Sequence, residues 1–218
     1  MRRRARLVIG LAALAAAAPV CAPQLLAFPY HARAGASQVW SEAPIAPAAL
    51  AGVMARRDRL LAASPLARPP EARHIFLTRG GWRWHWLALG GGDALALTRA
   101  VNEAVIVKGT DLAADRIAPV TREGQPRSLS GVLAHESCHG IERRAFGLTA
   151  QWRTPTWLFE GYCDYLAGES SLADEQAARL LVSGASHPAL VYWQGRRRVA
   201  QALAANHGDV AALFSTPR

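Results

Sequence analysis

Apolar residues recur at helical spacing between Leu129 and Ile141, where Leu129, Val132, Leu133 and Ile141 make one stripe; the pattern predicts a helix of about five turns. Ser128 stands where an N-cap belongs and Gly147 where a C′ residue belongs. A second helix is predicted from Thr154 as cap, through Pro155 at the first helical position, to Gly168 as terminator. Upstream, residues 47–62 carry Ala, Leu, Val and Met on one side and predict a helix that Ser64-Pro65 and Pro69-Pro70 break. Alternation predicts strands over 37–42, 73–78 and 82–89, the last two joined at Gly80-Gly81, and the run Val105-Ile106-Val107 predicts another over 102–108. Residues 172–183 and 196–205 return to helical periodicity around a break at 184–188. The order predicts an α+β fold: a small N-terminal mixed β-sheet packed on one central helix and the helices after it.

Composition changes this picture at the N-terminus. With 218 residues and 51% of them apolar, the chain can build one substantial core. Met1-Arg2-Arg3-Arg4-Ala5-Arg6 followed by an apolar run from Leu7 to Val20 has the pattern of an export signal, so residues 1–35 are set aside as leader and linker and 36–218 as the folded domain. Pro19 and Pro23 follow the two sets of small residues where a cut would fall, which disfavours cleavage. Uncut, residues 7–28 are long enough to span a bilayer with the domain outside; cut, the protein is secreted or periplasmic. Either way the expected location is a bacterial cell envelope. Ala18-Pro19-Val20 makes a poor lipobox for Cys21.

Charge narrows the partners. Five of the nine net positive charges lie in residues 1–35, leaving +4 for the rest, and Lys108 is the only lysine, as a GC-rich bacterial genome would give. No nucleic-acid partner is expected. Arg196-Arg197-Arg198 reads as a solvated helix face, and the alternating Trp82, Trp84 and Trp86 as core packing. The loop Gly90-Gly91-Gly92-Asp93 lacks a following Lys-Ser or Lys-Thr and is assigned no phosphate.

The candidate chemistry sits in the two best-defined helices. In His135-Glu136-Ser137-Cys138-His139 two imidazoles four residues apart share a helix face, and Glu136 beside them can take a proton from a metal-activated water. Glu160 and Asp164 are again four apart, so Glu160 can be a third ligand while Asp164 accepts the free ring N–H of a ligating histidine. Asp164 as the ligand is the alternative.

These residues, with Trp157, Glu160, Gly161, Asp164 and Tyr165 in the second helix, resemble the gluzincin metallopeptidases, the thermolysin-like branch of the zincins. The likeness covers about residues 128 to 168 and is nearest to small membrane-tethered or exported bacterial peptidase-like proteins. It implies one Zn2+ per chain on His135, His139 and Glu160, with Glu136 as general base, Asp164 orienting a histidine, and a peptide or protein as substrate. Phe159 departs from the Asn of thermolysin, and that enzyme's large helical C-terminal domain has no counterpart here. The metzincin pattern fails at Glu142 and Ala145.

Peptide hydrolysis also needs a donor for the developing oxyanion, and Tyr192, His187 and His207 are the candidates. Two other functions stay open: hydrolysis of a non-peptide amide in the cell envelope, and a non-catalytic, membrane-tethered zinc-binding or partner-binding module. Cys138 and Cys163 fall in the two motif helices, either as small buried thiols or as a disulfide; Cys138 projects about 100° from His139 and is not expected to be a ligand.

Overall fold

The structure, a computed structural model, describes residues 10, 17–18, 21–89, 94–117 and 126–215. The Gly90 to Asp93 loop and most of the leader lie outside the described residues. Among the described residues no helix is long and apolar enough to cross a membrane.

The architecture is mixed α+β. Strands β1 (Tyr30–Ala34) and β2 (Ser37–Ser41) form a hairpin whose turn uses Gly35 at φ +57°. The sheet therefore begins ahead of residue 36, inside the stretch set aside as leader and linker. Helix α1 (Pro47–Ala62) crosses from β2 to the parallel strand β3 (His74–Thr78). Then come α2 (Trp82–Ala88), β4 (Ala96–Thr98) and β5 (Val105–Lys108). Sheet order is β1-β2-β3-β5-β4, with β3 and β5 parallel and β4 antiparallel on the edge. A small hairpin of β6 (Thr110–Asp111) and β7 (Arg116–Ile117) leads towards the helices.

Side-chain alternation splits the sheet between two layers. Val39, Ile75, Leu77, Val105 and Val107 pack with Val53 and Met54 of α1 and with Leu129, Val132 and Leu133 of α3 (Leu129–Phe146). Phe76 and Ile106 face the other way, against Trp84 and Leu87 of α2 and Leu26 of a short 3-10 turn, Pro23–Leu26. Beyond α3 lie α4 (Ala150–Arg153), α5 (Thr156–Ala167), α6 (Asp174–Ser183), α7 (Leu190–Ala205) and α8 (Val210–Ser215). Leu158, Tyr162, Leu166, Val199, Leu203 and Leu213 form their core.

Two expectations need correction. Residues 82–89 form a helix rather than a strand: Trp84 and Leu87, three apart, turn inward, while Trp82 and Trp86 are 58% and 42% exposed. Only one of the three tryptophans is core. Helix α5 also starts one residue later than expected: Pro155 is its N-cap residue and no side chain caps it, so Thr154 lies outside. Helix α7 extends the helix predicted over 196–205 back to Leu190.

Candidate metal centre

Helix α3 is the spine of the site because it is buried on almost every side. Its start is fixed by Ser128, whose Oγ accepts from the Gly131 N–H at 3.0 Å, and its end by Gly147 at φ +94°. The sheet covers one flank and α5 the other, so the motif side chains His135, Glu136 and His139 are all less than one-tenth exposed.

Helix α5 brings Glu160 and Asp164 to that motif. Glu160 Oε2 lies 3.3 Å from His135 Nε2 and 3.5 Å from His139 Nε2. One donor atom from each residue falls within 4.8 Å of the others. The opposite ring nitrogens are both held. His135 Nδ1 is 2.8 Å from Asp164 Oδ1, and His139 Nδ1 is 3.1 Å from Glu142 Oε2. A carboxylate on each Nδ1 keeps the proton there when the ring is neutral and leaves the Nε2 lone pair directed at Glu160. Asp164 thus sits behind His135, away from the point where the donors converge, which argues against the alternative that made it a ligand.

The fully buried Asp164 has its charge answered. Arg127 Nη2 donates to Oδ1 at 3.1 Å and Ser170 Oγ donates to Oδ2 at 3.0 Å. Burial pushes the Asp164 carboxyl up, but Arg127 and His135 hold it below its ordinary value. Burial likewise pushes the His135 imidazole down, and Asp164 and Glu160 outweigh it, raising the group to about 9. His139 is also raised well above its ordinary value against burial, by Glu142 and Glu160. Glu160 itself, pushed up by burial, is held far below the usual carboxylate range by the two imidazoles. Burial raises Glu142 to about 7, with His139 opposing. Two imidazoles and a carboxylate that hold protons between them at neutral pH are a donor set a divalent cation fits, since the ion replaces those protons.

Glu136 stands beside this group and takes no part in it. The Thr98 hydroxyl lies 2.6 Å from Glu136 Oε2 and 2.7 Å from the Glu136 carbonyl oxygen, tying the side chain to edge strand β4. Phe159 stacks on His139 with ring centroids 4.8 Å apart, so the residue that departs from the thermolysin pattern forms an apolar wall on one ligand.

Of the oxyanion candidates, Tyr192 is brought close enough to the acids for their charges to act on it. At the start of α7 it is half-buried, and its phenol is raised by burial and by the charges of Glu160, Asp164 and Glu136. Gly161 and Gly195 allow this, because a Cβ on Gly161 would lie 2.4 Å from the Gly195 carbonyl carbon. His187 precedes α7 and accepts from the Ala189 N–H at 3.1 Å. His207 is exposed beyond the other end of α7, a helix length of about 24 Å from Tyr192's end, and is not at the site. Tyr162 faces the core, where its hydroxyl meets Ser64 Oγ at 2.6 Å.

Cys138 and Cys163 form a disulfide with Cα atoms 5.4 Å apart, stapling α3 to α5 directly behind the histidines. With Glu142 they make a second close group of potential donors, but the disulfide occupies both sulfurs. Sequence reasoning missed Thr98, Glu142 and Arg127. Glu142 had a local signal, an acid three residues after a ligand histidine on one helix; Thr98 and Arg127 had none. No protein-family model, curated protein or solved structure matches the chain. The chemistry of the site is therefore argued from its own atoms.

Proposed function

We propose that this chain is a zinc-dependent metallopeptidase of the gluzincin type with a zincin-like arrangement of sheet and active-site helix. The observation that carries the reading is the division of labour among the acids. Glu160 converges with both imidazole Nε2 atoms, Asp164 and Glu142 hold the two Nδ1 atoms, and Glu136 is left beside the group with no ligand role. A site built only to hold a metal has no use for that fourth carboxylate. Donors of the N2O kind suit zinc with a coordination position left open.

Zinc held by His135, His139 and Glu160 would polarise a carbonyl and acidify a water. The remaining work falls to the chain's own residues. Glu136 accepts the proton of the attacking water and returns it to the leaving amine, with Thr98 fixing the carboxylate's rotamer. Tyr192 donates to the oxygen on which charge develops. Edge strand β4 offers an extended peptide its free side next to Glu136. The expected setting is the cell envelope, reached through the leader.

Elemental analysis of the full chain should give about one zinc per molecule, and Glu160→Ala should lose it or bind it much more weakly. Glu136→Gln should keep the zinc while hydrolysis of unfolded protein falls by two orders of magnitude or more, as removal of a general base does. Zinc-free, folded wild type would end the metal reading, and normal turnover by Glu136→Gln would end the assignment of the base. Envelope fragments cut in place of unfolded protein would shift the reading to a non-peptide amide hydrolase.

A further inference from the structure

Exposed apolar side chains gather on the side of the sheet away from α3. In α2, Trp82 and Trp86 fall about 40° apart around the helix axis and project away from Trp84 and Leu87, which pack on Phe76 and Ile106. Leu89 follows at the end of the helix, also exposed. Side-chain bonds bring two more exposed apolar residues beside them. Arg83 donates to the Leu26 and Ala27 carbonyl oxygens, which holds Leu25 at the flank of α2. Arg99 donates to the Leu87 carbonyl oxygen, which ties the β4–β5 turn and its Val101 to the C-terminal end of α2. The turn in turn grips the incoming chain, since Asn102 Nδ2 donates to the Cys21 carbonyl oxygen at 2.5 Å. Single exposed apolar residues are ordinary, but a group of large ones on neighbouring segments marks a surface that meets something.

Sequence and charge both point to lipid. The apolar run from Leu7 to Val20, read as an export signal or anchor, ends at the residue before Cys21, so a leader drawn into a bilayer carries this face to the bilayer surface. Tryptophan settles at the boundary between headgroups and acyl chains, where its ring is half apolar and its N–H can reach water. Cations flank the apolar group. Arg79 and His85 are exposed on either side of Trp82, and the chain holds no acid between Glu71 and Asp93. Glu42, which approaches from β2, is answered by Arg83 at 3.0 Å. A positive rim around tryptophan and leucine suits anionic headgroups.

We propose that the face made by Leu25, Trp82, Trp86, Leu89 and Val101 rests in the headgroup layer of an anionic bilayer, beside the point where the leader enters it. The sheet then stands between lipid and metal centre, because Phe76 and Ile106 turn to α2 while Ile75, Leu77, Val105 and Val107 turn to α3. His135, His139 and Glu160 are thereby held on the aqueous side of the domain. The inference does not depend on the peptidase reading and holds equally for a binding module.

The test reconstitutes the full chain from detergent into vesicles of phosphatidylglycerol and phosphatidylcholine whose acyl chains carry bromine near the headgroup end, where it quenches indole fluorescence. Of the seven tryptophans, Trp82 and Trp86 should account for most of the quenching. Trp82→Gln and Trp86→Gln should each lose a large part of it and the double variant nearly all. Trp152→Gln, which removes an exposed ring from α4 on the helical side, should lose none. Quenching should weaken when phosphatidylcholine replaces the anionic lipid. A melting temperature equal to that of wild type shows the double variant to be folded; should it not fold, the single variants decide. A full chain that does not float with the vesicles, or quenching unaltered in both single variants, overturns the proposal. So do Trp82 and Trp86 shielded from acrylamide in the water yet untouched by bromine, since protein would then cover the face. Equal quenching with and without phosphatidylglycerol would overturn the role given to anionic lipid.

Discussion

At the scale of single residues, the site depends on who holds the far nitrogen of each imidazole. His135 is raised to about 9 by Asp164 and Glu160 against burial, so in the metal-free protein its protonation stabilises the fold fully below the ordinary value of 6.5 and ceases to do so as pH climbs through about 9. A metal ion must expel that proton. Zinc affinity, measured by competition with a buffered chelator, should therefore rise between pH 6.5 and about 9. Asp164→Asn, which removes the acceptor of the Nδ1 proton, should shift that rise to lower pH and weaken binding by about 10- to 100-fold at high pH. An affinity flat across the window in wild type would contradict the charge arrangement. His135, Glu136, His139, Glu160 and Asp164 were legible in sequence because each spacing lies within one helix, where periodicity alone decides which side chains share a face. Thr98 and Arg127 reach the site across the fold, and nothing local distinguishes them from any other threonine or arginine.

At the scale of elements, the crossing of α5 and α7 sets how closely the helix that carries Glu160 approaches the helix that carries Tyr192. Alanine in place of glycine inside a helix ordinarily stabilises by about 0.5–1 kcal/mol. Gly161→Ala should do the opposite. Its Cβ would meet backbone atoms of Gly195 at 2.4 and 2.7 Å, so the helices must part, at a cost of about 1–3 kcal/mol. Gly52→Ala in α1, exposed and with nothing within 4 Å, supplies the control and should stabilise. Urea denaturation of the two variants would show opposite signs; a stabilised Gly161→Ala would mean that the helices are not in this contact. The elements that bear the site were readable from their punctuation, Ser128 and Gly147 for α3 and Pro155 and Gly168 for α5. Helix α2 was not, because three alternating tryptophans carry a period of two although only Trp84 is buried. Strand β4 is three residues long, too short for alternation to register, and the surface-exposed residues of β1 give no apolar signal.

At the scale of the whole molecule, the described fold reaches further towards the N-terminus than the hydrophobic pattern implied. Leu26 is buried beneath α2, Phe28 packs on Phe76 with ring centroids 5.4 Å apart, and Arg83 donates to the Leu26 and Ala27 carbonyl oxygens at 2.9 and 3.0 Å. Strand β1 then covers the edge of β2 through five residue pairs. The apolar residues 23–28, assigned to a possible membrane span by their hydropathy, are thus also used by the core, and hydropathy alone cannot separate the two uses. A chain starting at Pro23, the residue after the later of the two possible cuts, keeps all of these contacts. A chain starting at Ala36 loses Leu26, Phe28 and β1 together and bares an edge strand. Burial of one large apolar side chain is worth about 1.5–3 kcal/mol, and a loss of that size lowers the melting temperature of a chain this long by about 2–4 °C per kcal/mol. The shorter chain should melt at least about 5 °C below the longer one and aggregate more readily, with its zinc site weakened only as far as the fold is. Equal melting temperatures for the two chains would mean that the segment from Pro23 to Ala34 rests on the domain without stabilising it, and the domain would then begin at residue 36.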